Sequence, residues 1–582
     1  LALSAETLGD RNVAVGLGTL GSQNNTSNTN VYNTAVGYNA GAAVTTGTNN
    51  TLVGGLAGDA LTEGNNNVAV GYNALTSETL GDRNVAVGKG ALQVQNNTSD
   101  TDVYNVAVGY DAGLNMTTGV QNTLIGGLSG DSLTTGQRNV AIGFEALTNE
   151  DTGSRNIAIG YQALKTANYD GNAYNIAVGY GAGSAISTGQ LNTLVGGLAG
   201  YNLSTGHNNV AIGMQALENE DEHGYNVAVG VEALQTLNAG ANAFNVAVGF
   251  KAGHFLTAGT VNTLIGGNAG DALTTGSGNV AIGHSALSGE DAHGHNVAIG
   301  FQTLANQNAG ANANNVAIGF NAGLLVSTGV QNTLIGGLAG DALTTGGGNI
   351  AIGYLALSAE DTSNSNTAIG SEALKVQDGG NSNTAVGKLA GSAVSTGSNN
   401  TLIGTNAGDD ITDGTNNVCV GQGAGQVLTT GNNNVYIGRD IDASSNSVSN
   451  EISIGESSSP NGANTVTLGN SSVSGLHCQV QSISALSDER DKTNIKDSTY
   501  GLEYLQSLRP VTFEWNQRDG NRKGLKDLGF IAQEMQNNDD EYTRLVESKN
   551  PEKLQASYGR LIPILVKAIQ DLSEEVKQLK NK

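Results

Sequence analysis

Residues able to do chemistry are crowded into one stretch, Leu486-Ser487-Asp488-Glu489-Arg490-Asp491-Lys492-Thr493-Asn494-Ile495, which holds hydroxyls, an amine, a guanidinium and three carboxylates. A serine hydroxyl needs a base to become a nucleophile. A lysine can serve as that base once desolvation or nearby cations pull its pKa down from about 10.4 toward neutrality. Arg490 is placed either to supply that positive field or to hold a developing oxyanion. A five-residue separation does not bring Ser487 and Lys492 together on a regular helical turn, so this segment is expected to be extended or looped. Lys492 is then also free to reach a serine of another chain.

Composition changes across this stretch. All four prolines (Pro460, Pro510, Pro551, Pro563) fall in the last 123 residues, and the single tryptophan, Trp515, lies beyond it. From Asp488 onward there are 16 Lys+Arg against 17 Asp+Glu, and before it 10 against 34, so nearly the whole net charge of −25 sits in the first part. Such a surface repels phosphate polymers and anionic membranes, which excludes nucleic-acid binding by that part. No apolar run approaches the roughly 18 residues a membrane helix needs, and no charged, hydrophobic signal region stands at the start, so no membrane insertion is expected. Eighty-four glycines in 582 residues, with 4% aromatics, describe a thin core repeated many times.

Other groupings are weaker. His293-Gly294-His295 has ligand-like spacing, but the positions equivalent to His295 in the repeat described below are Arg11, Arg83, Arg155 and Tyr225, which suits an exposed turn. The recurring Gly-Asp-x-Leu-Thr turns (Asp59, Asp131, Asp271, Asp341) offer calcium-type oxygens, and turn capping is the simpler reading. No cofactor and no metal is expected. The file Tyr38, Tyr72, Tyr110, Phe144, Tyr161, Tyr180 and Phe250 either braces adjacent coils or stacks on receptor sugars. Gly16-Leu17-Gly18-Thr19-Leu20-Gly21 matches a dinucleotide pattern only formally, since no βαβ unit surrounds it. Cys419 and Cys478 are too few for a disulfide framework and read as small buried residues. No pair of carboxylates marks a glycosidase cleft.

The elements that precede the Ser/Lys stretch form a repeat. Asn-x-Ala/Leu-Val/Ile-Gly recurs 25 times between Asn12 and Gly438, admitting Cys and Tyr once each in the middle. Its spacings run 21-17-17-17 twice, 19-17-17-17 three times and then 17 throughout. A fixed short period means a solenoid, each unit one coil. Every pentapeptide is β-branched and bounded by turn formers, so it reads as a short strand ending on a glycine suited to positive φ. Val-Ala-Val and Thr-Leu-Ile are apolar on both faces, whereas a strand with one wet face alternates. A single short coil cannot cover the second face, so neighbouring chains are expected to do so around a three-fold axis. The unit resembles the head repeat of trimeric autotransporter adhesins, which implies a left-handed parallel β-roll; its coils here are longer, and the C-terminal membrane barrel of those adhesins is lacking. Stacked at about 4.8 Å, the coils would extend on the order of 120 Å.

Beyond Arg439 a β-rich neck follows, with strand-like echoes at Glu451–Gly455 and Thr465–Gly469. After Asp488 the pattern is that of a small α+β domain: helical spacing over Tyr500–Leu508, a strand at Val511–Trp515, a basic loop from Asn516 to Lys526, and a helix over Leu561–Lys580. Ile562, Leu565, Ile569, Leu572, Val576 and Leu579 form the a/d stripe of a coiled coil on that helix, and Pro563 fits its first turn. The motifs Ser-Asp-Glu-Arg-Asp-Lys-Thr-Asn-Ile, Leu508-Arg-Pro-Val-Thr-Phe-Glu-Trp515, Gly529-Phe-Ile-Ala-Gln-Glu534 and Tyr558-Gly-Arg-Leu-Ile-Pro-Ile-Leu-Val-Lys-Ala-Ile-Gln570 resemble the endosialidase-type intramolecular chaperone of phage tail fibres and tailspikes. The acidic, proline-free segment 535–542 departs from that pattern. The resemblance implies a domain that trimerises its parent and then cuts itself off at Ser487-Asp488, with Ser487 as nucleophile and Lys492 as base. The expected architecture is mainly β: a trimeric parallel β-roll (1–438), a β-rich neck (439–487) and a chaperone (488–582). The expected function is a homotrimeric virion tail fibre that attaches to a host-surface receptor, a glycan or outer-membrane component, beside other tail proteins. The alternative is a cellular extracellular adhesin carrying the same chaperone, and a depolymerase fibre is disfavoured by the even repeat.

Overall fold

The computed structural model describes the chain except residues 27–29, 478, 480–486, 517–522, 549–550 and 552–553. Cys478 and much of the basic loop after Asn516 therefore lie outside the described residues. The chain divides into two compact units, Leu1–Asn366 and Thr367–Lys582. The first is a parallel β-solenoid with twenty three-residue strands among its described residues, from Val13–Val15 to Ile350–Ile352. Each strand pairs in register with the next, as Val140↔Ile157, Ala141↔Ala158 and Ile142↔Ile159 do. The second unit begins with seven more such strands, Thr367–Ile369 to Val466–Leu468. The two echoes past Gly438 belong to this sheet: Val435 pairs with Ile452 at the spacing of the repeat, and Ile452 pairs with Val466 across a shorter step.

The middle residue of each pentapeptide points inward. Ala141, Ala146 and Leu147 are fully buried, as are Leu124 and Leu133 of the preceding coil. The residues on either side of the middle one point outward and are only half covered; Val15 is 57% exposed and Ile403 40%. The strand thus separates an interior column of small and branched side chains from an external apolar row.

The pentapeptide Asn is buried and ties three coils together. Asn139 N–H donates to Asn122 Oδ1 (2.9 Å), Asn139 Nδ2 donates to the Gly153 carbonyl (2.8 Å), and Asn139 Oδ1 accepts the Asn156 N–H (2.9 Å). The closing glycine is required by geometry. At Gly143 φ is +139°, and a Cβ there would collide with the carbonyl oxygen of Gly160 in the next coil. The residue before each Asn also adopts left-handed backbone although it is seldom glycine: Arg138 at φ 58° and Arg155 at φ 63° are examples.

Asn139→Ala strands the buried Asn156 N–H and Gly153 C=O together, at about 1–3 kcal/mol for each unsatisfied group. Because solenoid repeats open locally, the expected result is faster hydrogen exchange at Asn156 and its neighbours while remote coils keep their protection. Unchanged exchange at Asn156 would remove this role from the amide.

Candidate functional site

The C-terminal module is built where the sequence motifs meet. Its helices are α1 (Leu502–Ser507), α2 (Ala532–Gln536) and α3 (Leu561–Lys580). Val511–Glu514 pairs antiparallel with Lys526–Gly529, and Val546–Glu547 with Gln555–Ala556. Leu508, Met535, Leu545, Val546, Leu561 and Ile564 form the core. Arg509 Nε donates to Glu534 Oε2 at 3.0 Å, and the Phe530 N–H donates to Tyr558 Oη at 3.2 Å, so three motifs distant in sequence touch one another. Asp571 on α3 accepts the Leu502 N–H (3.2 Å) and pairs with Lys567, which anchors the start of α1 to the long helix.

Helix α3 has two different faces. Leu561, Ile564 and Ala568 are buried, whereas Ile562, Ile569 and Leu579 are 61%, 66% and 70% exposed, and Leu565, Leu572 and Val576 are exposed as well. The whole a/d stripe read from the sequence is therefore apolar and uncovered in the single chain.

Ser487 and Lys492 are brought together by one tight turn. Glu489–Asp491 forms a 3₁₀ turn whose N-cap is Asp488; the Asp488 carboxylate accepts the Arg490 N–H at 2.9 Å, and the Lys492 N–H returns to the Glu489 carbonyl. Lys492 then runs on in extended backbone, and its Nζ lies 2.6 Å from Ser487 Oγ and 3.1 Å from the Ser487 carbonyl oxygen. One amine thus touches both the hydroxyl and the carbonyl of the Ser487-Asp488 peptide. Arg490 is turned elsewhere: its Nε lies 3.0 and 3.1 Å from the two Asp488 oxygens, and this guanidinium holds the Asp488 carboxyl below the ordinary range. Ser487, Arg490 and Lys492 are all exposed.

Residues 487–544 match the family described as chaperone of endosialidase. The family implies a C-terminal autoproteolytic chaperone domain. The match begins at Ser487 and takes in Lys492, α1, the first hairpin and α2. Among curated proteins none matches the chain. Upstream of the chaperone the chain is a long β-solenoid of the kind a fibre or tailspike repeat forms.

The remaining sequence candidates fall as follows. His295 is exposed at φ 64°, as an exposed turn requires, while His293 faces Glu290 instead of His295. Burial raises the carboxyls of Asp131, Asp271 and Asp341, whereas Asp59 accepts a short bond from Thr76. Phe144, Tyr161 and Tyr180 stack coil upon coil at 5.9 and 5.3 Å between centroids, so part of the aromatic file does brace its neighbours. Cys419 is buried, which pushes its thiol up to about 12. No helix among the described residues is long and apolar enough to cross a membrane. Sequence reasoning missed a series of buried glutamates, Glu78, Glu150, Glu220, Glu290 and Glu360, although their regular spacing was visible.

In the module, the Tyr500 hydroxyl donates to Asp540 and holds that carboxyl at about 2. A depressed carboxyl adds stability above its unfolded pKa, about 3.9, and the addition is lost as pH falls through the folded value. Tyr500→Phe is expected to flatten the acid unfolding of the module between about pH 4 and about pH 2, followed by fluorescence of Trp515. Superimposable profiles for the two proteins would exclude the pair as a source of acid sensitivity.

Proposed function

We propose that the chain is a homotrimeric virion tail fibre whose C-terminal chaperone drives trimer assembly and then releases itself by hydrolysis at Ser487-Asp488. The observation that carries this reading is the 2.6 Å contact from Lys492 Nζ to Ser487 Oγ at the start of the segment that matches the chaperone family. Lys492, as the free amine, takes the Ser487 hydroxyl proton; the alkoxide attacks a Ser487 carbonyl carbon; the Asp488 nitrogen leaves with a proton; and water hydrolyses the ester, leaving Ser487 as the new C-terminus. A lysine paired with the carbonyl oxygen also stabilises the developing oxyanion when charged. Attack by Oγ on the carbonyl of its own residue would close a strained four-membered ring. The reaction is therefore carried from one chain to the bond of another.

Trimerisation is supported by two apolar surfaces that the single chain leaves open: the outward rows beside each strand and the a/d stripe of α3. Both run along regular elements, as a self-complementary interface requires. The solenoid, with half-exposed aromatics along its coils, serves for attachment to a host cell surface, to a glycan or an outer-membrane component, beside other tail proteins.

On a denaturing gel the wild type is expected to lose a fragment of about 95 residues, and Ser487→Ala and Lys492→Met to stay intact; equal mobilities of all three would overturn autoproteolysis. When tagged Ser487→Ala is co-expressed with wild type, cutting of the tagged chain supports attack between chains, and its survival refutes it. Ile569→Glu changes a side chain already 66% exposed, so the module keeps its Trp515 signal while trimer yield in light scattering falls. A variant that weighs as much as wild type would exclude α3 as the seam.

A further inference from the structure

Two coils of the first unit carry the same four-residue arrangement, Glu220-Asp221-Glu222-His223 and Glu290-Asp291-Ala292-His293, one super-repeat apart. In each, the Glu, Asp and His ligand atoms lie within 4.8 Å of one another. Position in the fold alone would make these glutamates turn caps. In the equivalent coils a glycine or serine stands where the histidine is, and the buried carboxylate grips its N–H tightly: Gly81 to Glu78 at 2.8 Å, Gly153 to Glu150 at 2.7 Å, Ser363 to Glu360 at 2.7 Å. Glu78 receives further donors from Thr79, Leu80, Gln95 and Asn97, which leaves it well satisfied.

The histidine coils differ in a consistent way. The corresponding N–H distances lengthen to 3.2 Å at Glu220 and 3.1 Å at Glu290, and an imidazole stands beside each carboxylate. Glu290 is fully buried, yet among the described residues the His293 N–H is its one hydrogen bond and Oε2 has no partner. His223 Nδ1 and His293 Nδ1 are likewise buried and without hydrogen-bond partners, although they face Glu Oε1 at 3.6 and 3.4 Å. A buried carboxylate with so few donors is held in its charged form by a positive charge placed beside it.

The separation of these atoms leaves room for an ion between them. With metal–nitrogen and metal–oxygen bonds of about 2.1 Å, a tetrahedral ion holds its two ligand atoms about 3.4 Å apart, and a trigonal opening stretches this to about 3.6 Å. A direct N–H···O bond would draw them to about 2.9 Å. We propose that Glu220-Asp221-His223 and Glu290-Asp291-His293 each bind one borderline divalent transition ion, of which Zn²⁺ is the natural choice for a mixed imidazole and carboxylate set. The His side chains are 24% exposed, which leaves a path for the ion and an open position for water. Such an ion would supply the charge that the missing donors of the standard cap leave wanting.

The test is equilibrium dialysis of the full chain against Zn²⁺, with Co²⁺ absorption as a second readout. Wild type is expected to retain about two more equivalents than His223→Gln/His293→Gln. Each single variant loses one of them, and so does Glu290→Gln, which keeps every histidine. His295→Gln, at an exposed turn outside both clusters, retains wild-type loading, and far-UV circular dichroism checks that all variants keep the solenoid. Co²⁺ bands of tetrahedral intensity should appear in wild type and vanish in the double variant. Equal zinc retention by wild type and the double variant, or loss of zinc through His295→Gln, overturns the proposal.

Discussion

A coil this short closes on itself through turns whose carbonyls and amides cannot all be met by three-residue strands. The buried Asn side chain meets this need, because an amide can donate and accept at once. Its Nδ2 takes a carbonyl of the following turn, as Asn332 takes that of Gly346, and its Oδ1 takes the N–H of the next Asn, so each coil becomes the template for the one that follows. Aspartate would lose the donor and serine the reach. This is why Asn stands at the head of every pentapeptide while the residues around it vary, and why the following Val/Thr-Ala/Leu-Val/Ile strand falls in register without long side chains to fix it.

The super-repeat follows from the same accounting of polar groups. A lengthened coil carries extra backbone N–H groups, and residues 98–102, for instance, loop into solvent. The coil before each insertion carries a buried Glu that gathers turn amides, as Glu78 gathers those of Thr79, Leu80, Gly81 and Asn97. The buried Glu360 also stands in the coil before Asn366, which carries no insertion, so the carboxylate follows the super-repeat and not the inserted residues alone. Burial raises the carboxyls of Glu220 and Glu150 alike, each accepting two backbone N–H groups.

Much of this was legible from the residues. The short, even period gave the parallel strands, because composition and spacing there obey one rule per coil, and helix α3 was readable to its ends, Leu561 and Lys580, because its heptad stripe is unbroken. The left-handed positions were hidden: Arg138, Tyr104 and Leu75 hold φ near +55°, and nothing in an arginine or leucine announces a conformation enforced by hydrogen bonds from adjacent coils. The extension of the sheet through Ile452–Ile454 and Val466–Leu468 was masked because the last step, from Ile452 to Val466, falls short of the repeat. At the Ser/Lys stretch the residue types were plain but their closure was not. It depends on Asp488 capping a 3₁₀ turn, which spends Arg490 on the carboxylate and leaves Lys492 to fold back alone.

That closure bears on when the pair can react. In the single chain Ser487 and Lys492 are in contact but open to water. A lysine acts as a base where desolvation or nearby cations favour its neutral form, and here Arg490 is engaged with Asp488 instead. On the proposed reading, desolvation would come from neighbouring chains that cover the outward apolar rows and the exposed stripe of α3. Contact between hydroxyl and amine is thus built into the single chain, and in the proposed trimer the low-dielectric surroundings that a lysine base needs would come with assembly. Under the proposed trimeric reading, cleavage follows assembly and does not precede it.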